Sequence, residues 1–327
     1  MRGSLAAARG LRTTSVWIAA LLSGAAALAY ELSWSRALVI PLGNSADAAT
    51  LVLAGFMLGL AVGAGLGGDR AERVGSPLAL YGLLEGGLAV TAVVLPAGLR
   101  SLLGLSPVLR YPAAILLVAA PCLAMGATFP LLLRGLARDG AELGRRVGVT
   151  YGVNTLGAAL GACLTGFFGV ARLGVTGCSR AGAVASVLAA GLALATALGD
   201  RACRRSSPRP EGAASAGPRA EPPPSGPEVP AALVLGVAGL GGFVMLAAEV
   251  LWARVLTFVF GHDTYAFASL LAIVLVGLAV GGFGQRVLAR GADRVVLTAL
   301  PTLLGLLLLG GYGIAATLVV THGRDPL

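Results

Sequence analysis

The 327-residue chain is 57% hydrophobic and 12% charged, with a mean hydropathy of +0.86, more apolar than a water-facing globular surface tolerates. Its net charge of +9 and pI near 10.2 would suggest nucleic acid in a soluble protein, but the positive charge is all arginine and sits between apolar stretches, so it marks topology and excludes a nucleic-acid partner. Cys122, Cys163, Cys178 and Cys203 lack C-x-x-C spacing, so no metal site, disulfide framework or cofactor is expected.

A bilayer core about 30 Å thick takes roughly 20 apolar residues per helix. About nine such stretches are predicted, near 15–35, 47–68, 77–98, 112–133, 147–171, 180–199, 231–253, 264–284 and 295–320. With the N-terminus inside, Arg2, Arg9, Arg12, Arg70, Arg73, Arg134, Arg138, Arg145, Arg146, Arg201, Arg204, Arg205, Arg209, Arg219, Arg286, Arg290 and Arg294 all fall on the cytoplasmic side. They are most of the 24 basic residues, the bias that orients a multi-pass protein of the cell (inner) membrane. The lipid bilayer is thus the first expected partner.

The first stretch ends in "YELSWSRAL", residues 30–38. Residues 1–29 look like a cleavable secretory signal, with a basic start and "ALA" at 27–29. A similar segment recurs around 240–252, in mid-chain, which argues for a retained span. Glu31 lies in the outer third of its helix and is expected to reach another helix, either as glue between spans or as a cavity-facing solute or proton site. Trp34 and Arg36 read as an aromatic-belt anchor and a snorkelling arginine.

In the second stretch Gly55, Gly59, Gly63 and Gly67 line one helical face, the pattern of close helix packing. Gly63, Gly65 and Gly68 also match G-x-G-x-x-G, but a dinucleotide site needs a preceding strand and none is expected here. Glu85, in "LYGLLEGG", lies nearer mid-membrane with no local partner and is the foremost single candidate for solute binding. Pro112, Pro121 and Pro130 predict packing kinks in the fourth stretch. Asn154 in the fifth is expected to hydrogen-bond between helices or to face a cavity. His262 and His322 have no nucleophile or ligand cluster near them in sequence, so no catalytic residue is assigned.

Residues 200–230, dense in Pro, Ser, Ala, Gly and Arg, predict a disordered cytoplasmic linker. Beyond it the opening pattern returns. A constant offset pairs Gly24 with Gly242, Glu31 with Glu249, Trp34 with Trp252 and Arg36 with Arg254, and repeats "GLAVG" 59–63 at 277–281, so that Gly277 and Gly281 are expected to pack as Gly59 and Gly63 do. Six stretches separate the copies, so both cross in the same direction, as in parallel-repeat transporters. The expected fold is an all-α polytopic bundle in two parallel repeats: a six-helix first repeat over 1–199, the linker, and an incomplete three-helix repeat over 231–327.

The run "SGAAALAYELSWSRAL", "LYGLLEGG", "PCLAMGATFPLLLRGLAR" and "VGVTYGVNTLGAALGACLTGF" resembles, in that order, the membrane portion of the fused major facilitator/spermidine synthase family. "GGDRAERVGSP", 67–77, is similar to the loop between spans two and three of major facilitator transporters. The resemblance implies a major-facilitator-like bundle and marks Glu31, Trp34, Arg36, Glu85 and Asn154 as characteristic positions. It implies an aminopropyltransferase domain as well, but the chain ends in "THGRDPL" without a nucleotide-binding pattern, so enzymatic activity is not expected of these residues. Two functions follow as expectations. One is a transporter-like module for a small cationic solute such as a polyamine, with Glu31, Glu85, Glu249 and Asn154 as candidate binding residues. The alternative is an anchor or regulator of a separately encoded synthase domain.

Overall fold

The computed structural model describes residues 2–43, 45–136, 140–206, 230–260 and 263–288. Eight helices occupy them: α1 (Arg2–Leu42), α2 (Ser45–Arg73), α3 (Pro77–Ser101), α4 (Pro107–Leu136), α5 (Gly140–Cys163), α6 (Val170–Ser206), α7 (Ala231–Phe260) and α8 (Asp263–Leu288). The predicted ninth stretch and most of the predicted linker lie outside the described residues. The linker's first residues continue α6 as helix to Ser206.

Among the described residues four helical runs are long and apolar enough to cross a membrane: Gly10–Leu42, Pro77–Gly104, Pro107–Leu136 and Arg146–Ala202. The last joins α5 to α6 through a π-helical stretch, Leu164–Gly169. Helical conformation breaks at Gly174, whose φ of 66° and ψ of 178° belong to a region that only glycine enters cheaply. The chain reverses there. Gly157 and Gly161 meet Leu21 and Ala25 in ascending order, so α5 runs parallel to α1, whereas Ser186 and Ser179 meet Tyr30 and Trp34 in descending order.

Lipid tails are as apolar as leucine, so helices in a bilayer associate by close backbone approach and interhelical hydrogen bonds. Both devices are visible. Gly55, Gly59, Gly63 and Gly67 are buried on α4 against Val118, Cys122, Leu123 and Ala127. A side chain at Gly63 would overlap the Leu123 carbonyl. Gly24, Gly157 and Gly161 bring α1 onto α5 in the same manner. Large apolar side chains instead populate the outer faces: Leu83, Val90 and Val94 on α3, Leu116 on α4, and Val184 and Val187 on α6 are all exposed. Such an inside-out distribution suits hydrocarbon as the surrounding medium.

The repeat expectation for α8 needs correction. Gly277 and Gly281 are exposed, and no atom of the described residues lies within 4 Å of where a Cβ would stand on either. Their first-repeat counterparts pack on α4, two helices downstream of α2, and the chain two elements beyond α8 is outside the described residues. The close approach of α8 is made by Gly282, against Gly148, Gly152 and Tyr151 of α5.

Arginine contacts hold the two ends of the bundle. At one end Arg12 pairs with Asp200 at 2.9 Å and donates to the Gly135 carbonyl at 2.6 Å, while Arg146 donates to Thr13 at 3.3 Å. At the other end Arg110 donates to the carbonyls of Leu105, Pro41 and Leu103 at 2.9, 3.2 and 3.2 Å. A cation on orphaned carbonyls at a helix C-terminus is favoured by hydrogen bonding and by the helix dipole.

Candidate functional site

A cavity of about 520 Å³ opens between the first-repeat helices and the pair α7–α8. Glu31 of α1, Glu85 of α3, Asn154 of α5 and Glu249 of α7 all line it, although the carboxylates are spread from one repeat to the other in sequence. The rest of the wall is mostly apolar, including Leu28, Phe56, Met57, Leu60, Met245 and Leu246. Apolar walls with a few convergent polar groups describe a small-molecule site in general.

The two first-repeat carboxyls have different surroundings. Glu85 is 1% exposed, and the Ser23 hydroxyl donates to its Oε1 at 2.5 Å. Tyr81 and Ser186 also lie within hydrogen-bonding reach of its carboxyl group. The network continues outward: Tyr30 donates to Ser186 at 3.1 Å, Tyr81 to the Ala19 carbonyl at 3.1 Å, and Ser179 to the Ala92 carbonyl at 2.6 Å. Hydroxyl donors therefore offset the cost of burying Glu85, and the same groups tie α1, α3 and α6 together.

Glu31 stands differently. It is 4% exposed, and its Oε1 is buried with no hydrogen-bond partner. Eight residues past Ser23 on α1, it lies about 12 Å further along the axis. It is turned onto the Gly24–Leu28 stripe, the side that faces α5 and α8. Glu249, 8% exposed on α7, is close enough for the two charges to interact. An unpaired acceptor in a mostly apolar cavity that a second carboxyl also lines is an unfinished arrangement that a cation with N–H donors would complete.

The aromatic-belt reading of Trp34 gives way to a core position. Its ring is fully buried, stacked on Tyr30 at a centroid distance of 5.2 Å and tilted against Phe56 at 5.9 Å, and its Nε1 donates to Ser179 at 3.4 Å. The indole finds both its hydrogen bond and its apolar surroundings between helices, and so has no need of the interface. Arg36 and Trp252 are half-buried, and the side chain of Arg254 is outside the described residues.

Ser23, Tyr30, Tyr81 and Ser186 were not singled out in the sequence. Their signal was present, since a phenol or hydroxyl deep in an apolar stretch needs a partner, but single hydroxyls are common in membrane helices and nothing in the spacing joins them to Glu85. Among the described residues no three His, Cys, Asp or Glu side chains gather as a metal site. Comparisons with protein-family models, curated proteins and solved structures return no match to this chain.

Proposed function

We propose that the chain is a multi-pass, transporter-like module of the cell membrane, with its N-terminus in the cytoplasm, and that the cavity takes a small cationic solute such as a polyamine. The observation that carries this reading is the convergence of Glu31, Glu85 and Glu249, drawn from α1, α3 and α7, on one largely apolar cavity. Ionisable groups inside a bundle are costly, and where they converge on a cavity they mark a solute or ion path. The orientation is supported by charge: Arg12, Arg70, Arg73, Arg134, Arg146 and Arg201 all belong to the end where α1 begins, and arginine-rich ends stay cytoplasmic. The parallel relation of the two repeats and the resemblance to the fused major facilitator/spermidine synthase family point the same way.

Uptake into proteoliposomes tests the reading. Purified protein is expected to carry labelled spermidine into vesicles at least about tenfold above protein-free vesicles, and replacing all three glutamates with glutamine is expected to return uptake to background. Wild-type protein no better than empty vesicles, for spermidine and for other organic cations, would refute transport and leave the alternative of an anchor or regulator for a separately encoded synthase.

A further inference from the structure

The three acidic residues on the cavity wall are not equivalent, and their surroundings divide the work between them. Glu85 already has a hydroxyl partner on α1 in Ser23, with Ser186 of α6 within hydrogen-bonding reach. Glu31, almost as deeply buried, keeps one oxygen without a partner, and a second carboxyl, Glu249, lines the same cavity. Two neighbouring carboxyls with an unfilled acceptor are unfavourable as a pair of anions, and either a proton or a cation held between them relieves the arrangement. Around them the wall is apolar, with Leu28, Met57, Met245 and Leu246 lining the same space.

We infer that Glu31 and Glu249 together form the seat for one primary ammonium group carried on an apolar body, and that Glu85 serves chiefly to hold α1, α3 and α6 in register. The inference rests on reading the cavity as a solute site, but it assigns the head-group position and the chemistry recognised there. An –NH3+ group brings three donors, enough to fill the open oxygen of Glu31 and reach the carboxylate of Glu249 at once. A quaternary ammonium carries the same charge but no N–H, so it leaves that oxygen orphaned. A bare alkali cation gains nothing from the apolar wall. Because Glu31 belongs to the first repeat and Glu249 to the second, a ligand seated there touches both.

The test is equilibrium binding to the full chain in detergent, followed by intrinsic fluorescence or calorimetry. The probes are hexylammonium, its N,N,N-trimethyl analogue, and sodium chloride at matched ionic strength. Hexylammonium is expected to bind, with the trimethyl analogue and sodium each at least about tenfold weaker, the factor that a lost charge-assisted hydrogen bond implies. Glu31→Gln and Glu249→Gln are each expected to weaken hexylammonium binding at least about tenfold, and Glu85→Gln by clearly less, since a charge-assisted pair outweighs a neutral contact. The proposal is overturned if the trimethyl analogue binds as well as hexylammonium, a comparison made on wild-type protein alone and so free of any folding defect in a variant. It is overturned too if Glu85→Gln costs as much as Glu31→Gln, or if Glu249→Gln costs nothing. Binding with this pattern but without vesicle uptake would uphold the seat and sink only transport. Uptake that survives Glu31→Gln and Glu249→Gln would uphold transport and sink the seat.

Discussion

At the scale of single residues, what separates the buried polar groups is whether each has a partner. Ser186 accepts from Tyr30 and lies beside Glu85, so it links the aromatic stack of α1 to the carboxyl of α3. Ser186→Ala removes that acceptor and leaves a buried phenol unpaired, which should cost about 1–3 kcal/mol. The measurement is thermal unfolding in detergent, where a lowered midpoint with unchanged helix content is expected; an unchanged midpoint would show that the phenol finds another partner. At this scale the sequence was only partly legible. A glutamate inside an apolar run announces itself, which is why Glu31, Glu85 and Glu249 could be named in advance. Trp34 could not be placed, because an indole near a predicted span's end has the same sequence whether it faces headgroups or packs on Tyr30.

Among elements, packing follows the small residues. The α2–α4 contact depends on Gly59 and Gly63, where any side chain would run into Ala119, Cys122 or Leu123. Gly63→Leu should therefore force the helices apart, an overpacking cost of about 1–3 kcal/mol or more, and yield aggregated or poorly expressed protein. Gly281→Leu, at the matching position of the second copy, meets open space among the described residues and should be tolerated. Size-exclusion profiles of the two variants in detergent check the contrast, and equal damage from both would mean that the exposed face of α8 is covered in the intact protein. Equal residues do not guarantee equal neighbours, since the partner of α2 is another helix and not a property of α2. Helices stand over each of the first eight predicted stretches because hydrophobic length is a direct physical requirement of the bilayer. Their ends were less legible. A helix has no reason to stop at the lipid boundary, and α1 continues to Leu42.

For the whole molecule, charge distribution should fix the sidedness. If the arginine-rich end is cytoplasmic, a single cysteine introduced at Gly75 in an otherwise cysteine-free background should be reached by a membrane-impermeant thiol reagent only from inside. One at Gly104 should be reached only from outside. Labelling in intact cells against inverted vesicles reads this out, and the opposite pattern would reverse the orientation. Gly75 and Gly104 suit the purpose because an added side chain meets nothing within 4 Å at either site.

Among the described side chains of α7, Glu249 alone is buried. Along α7, Leu233, Leu235, Leu240, Phe243, Val244 and Leu251 are all exposed, whereas α1, its counterpart, buries Tyr30, Leu32, Trp34 and Leu38. The chamber thus has one side set among other helices and one whose outer face meets the surrounding medium, so the depth of burial of Glu249 depends on what that medium is.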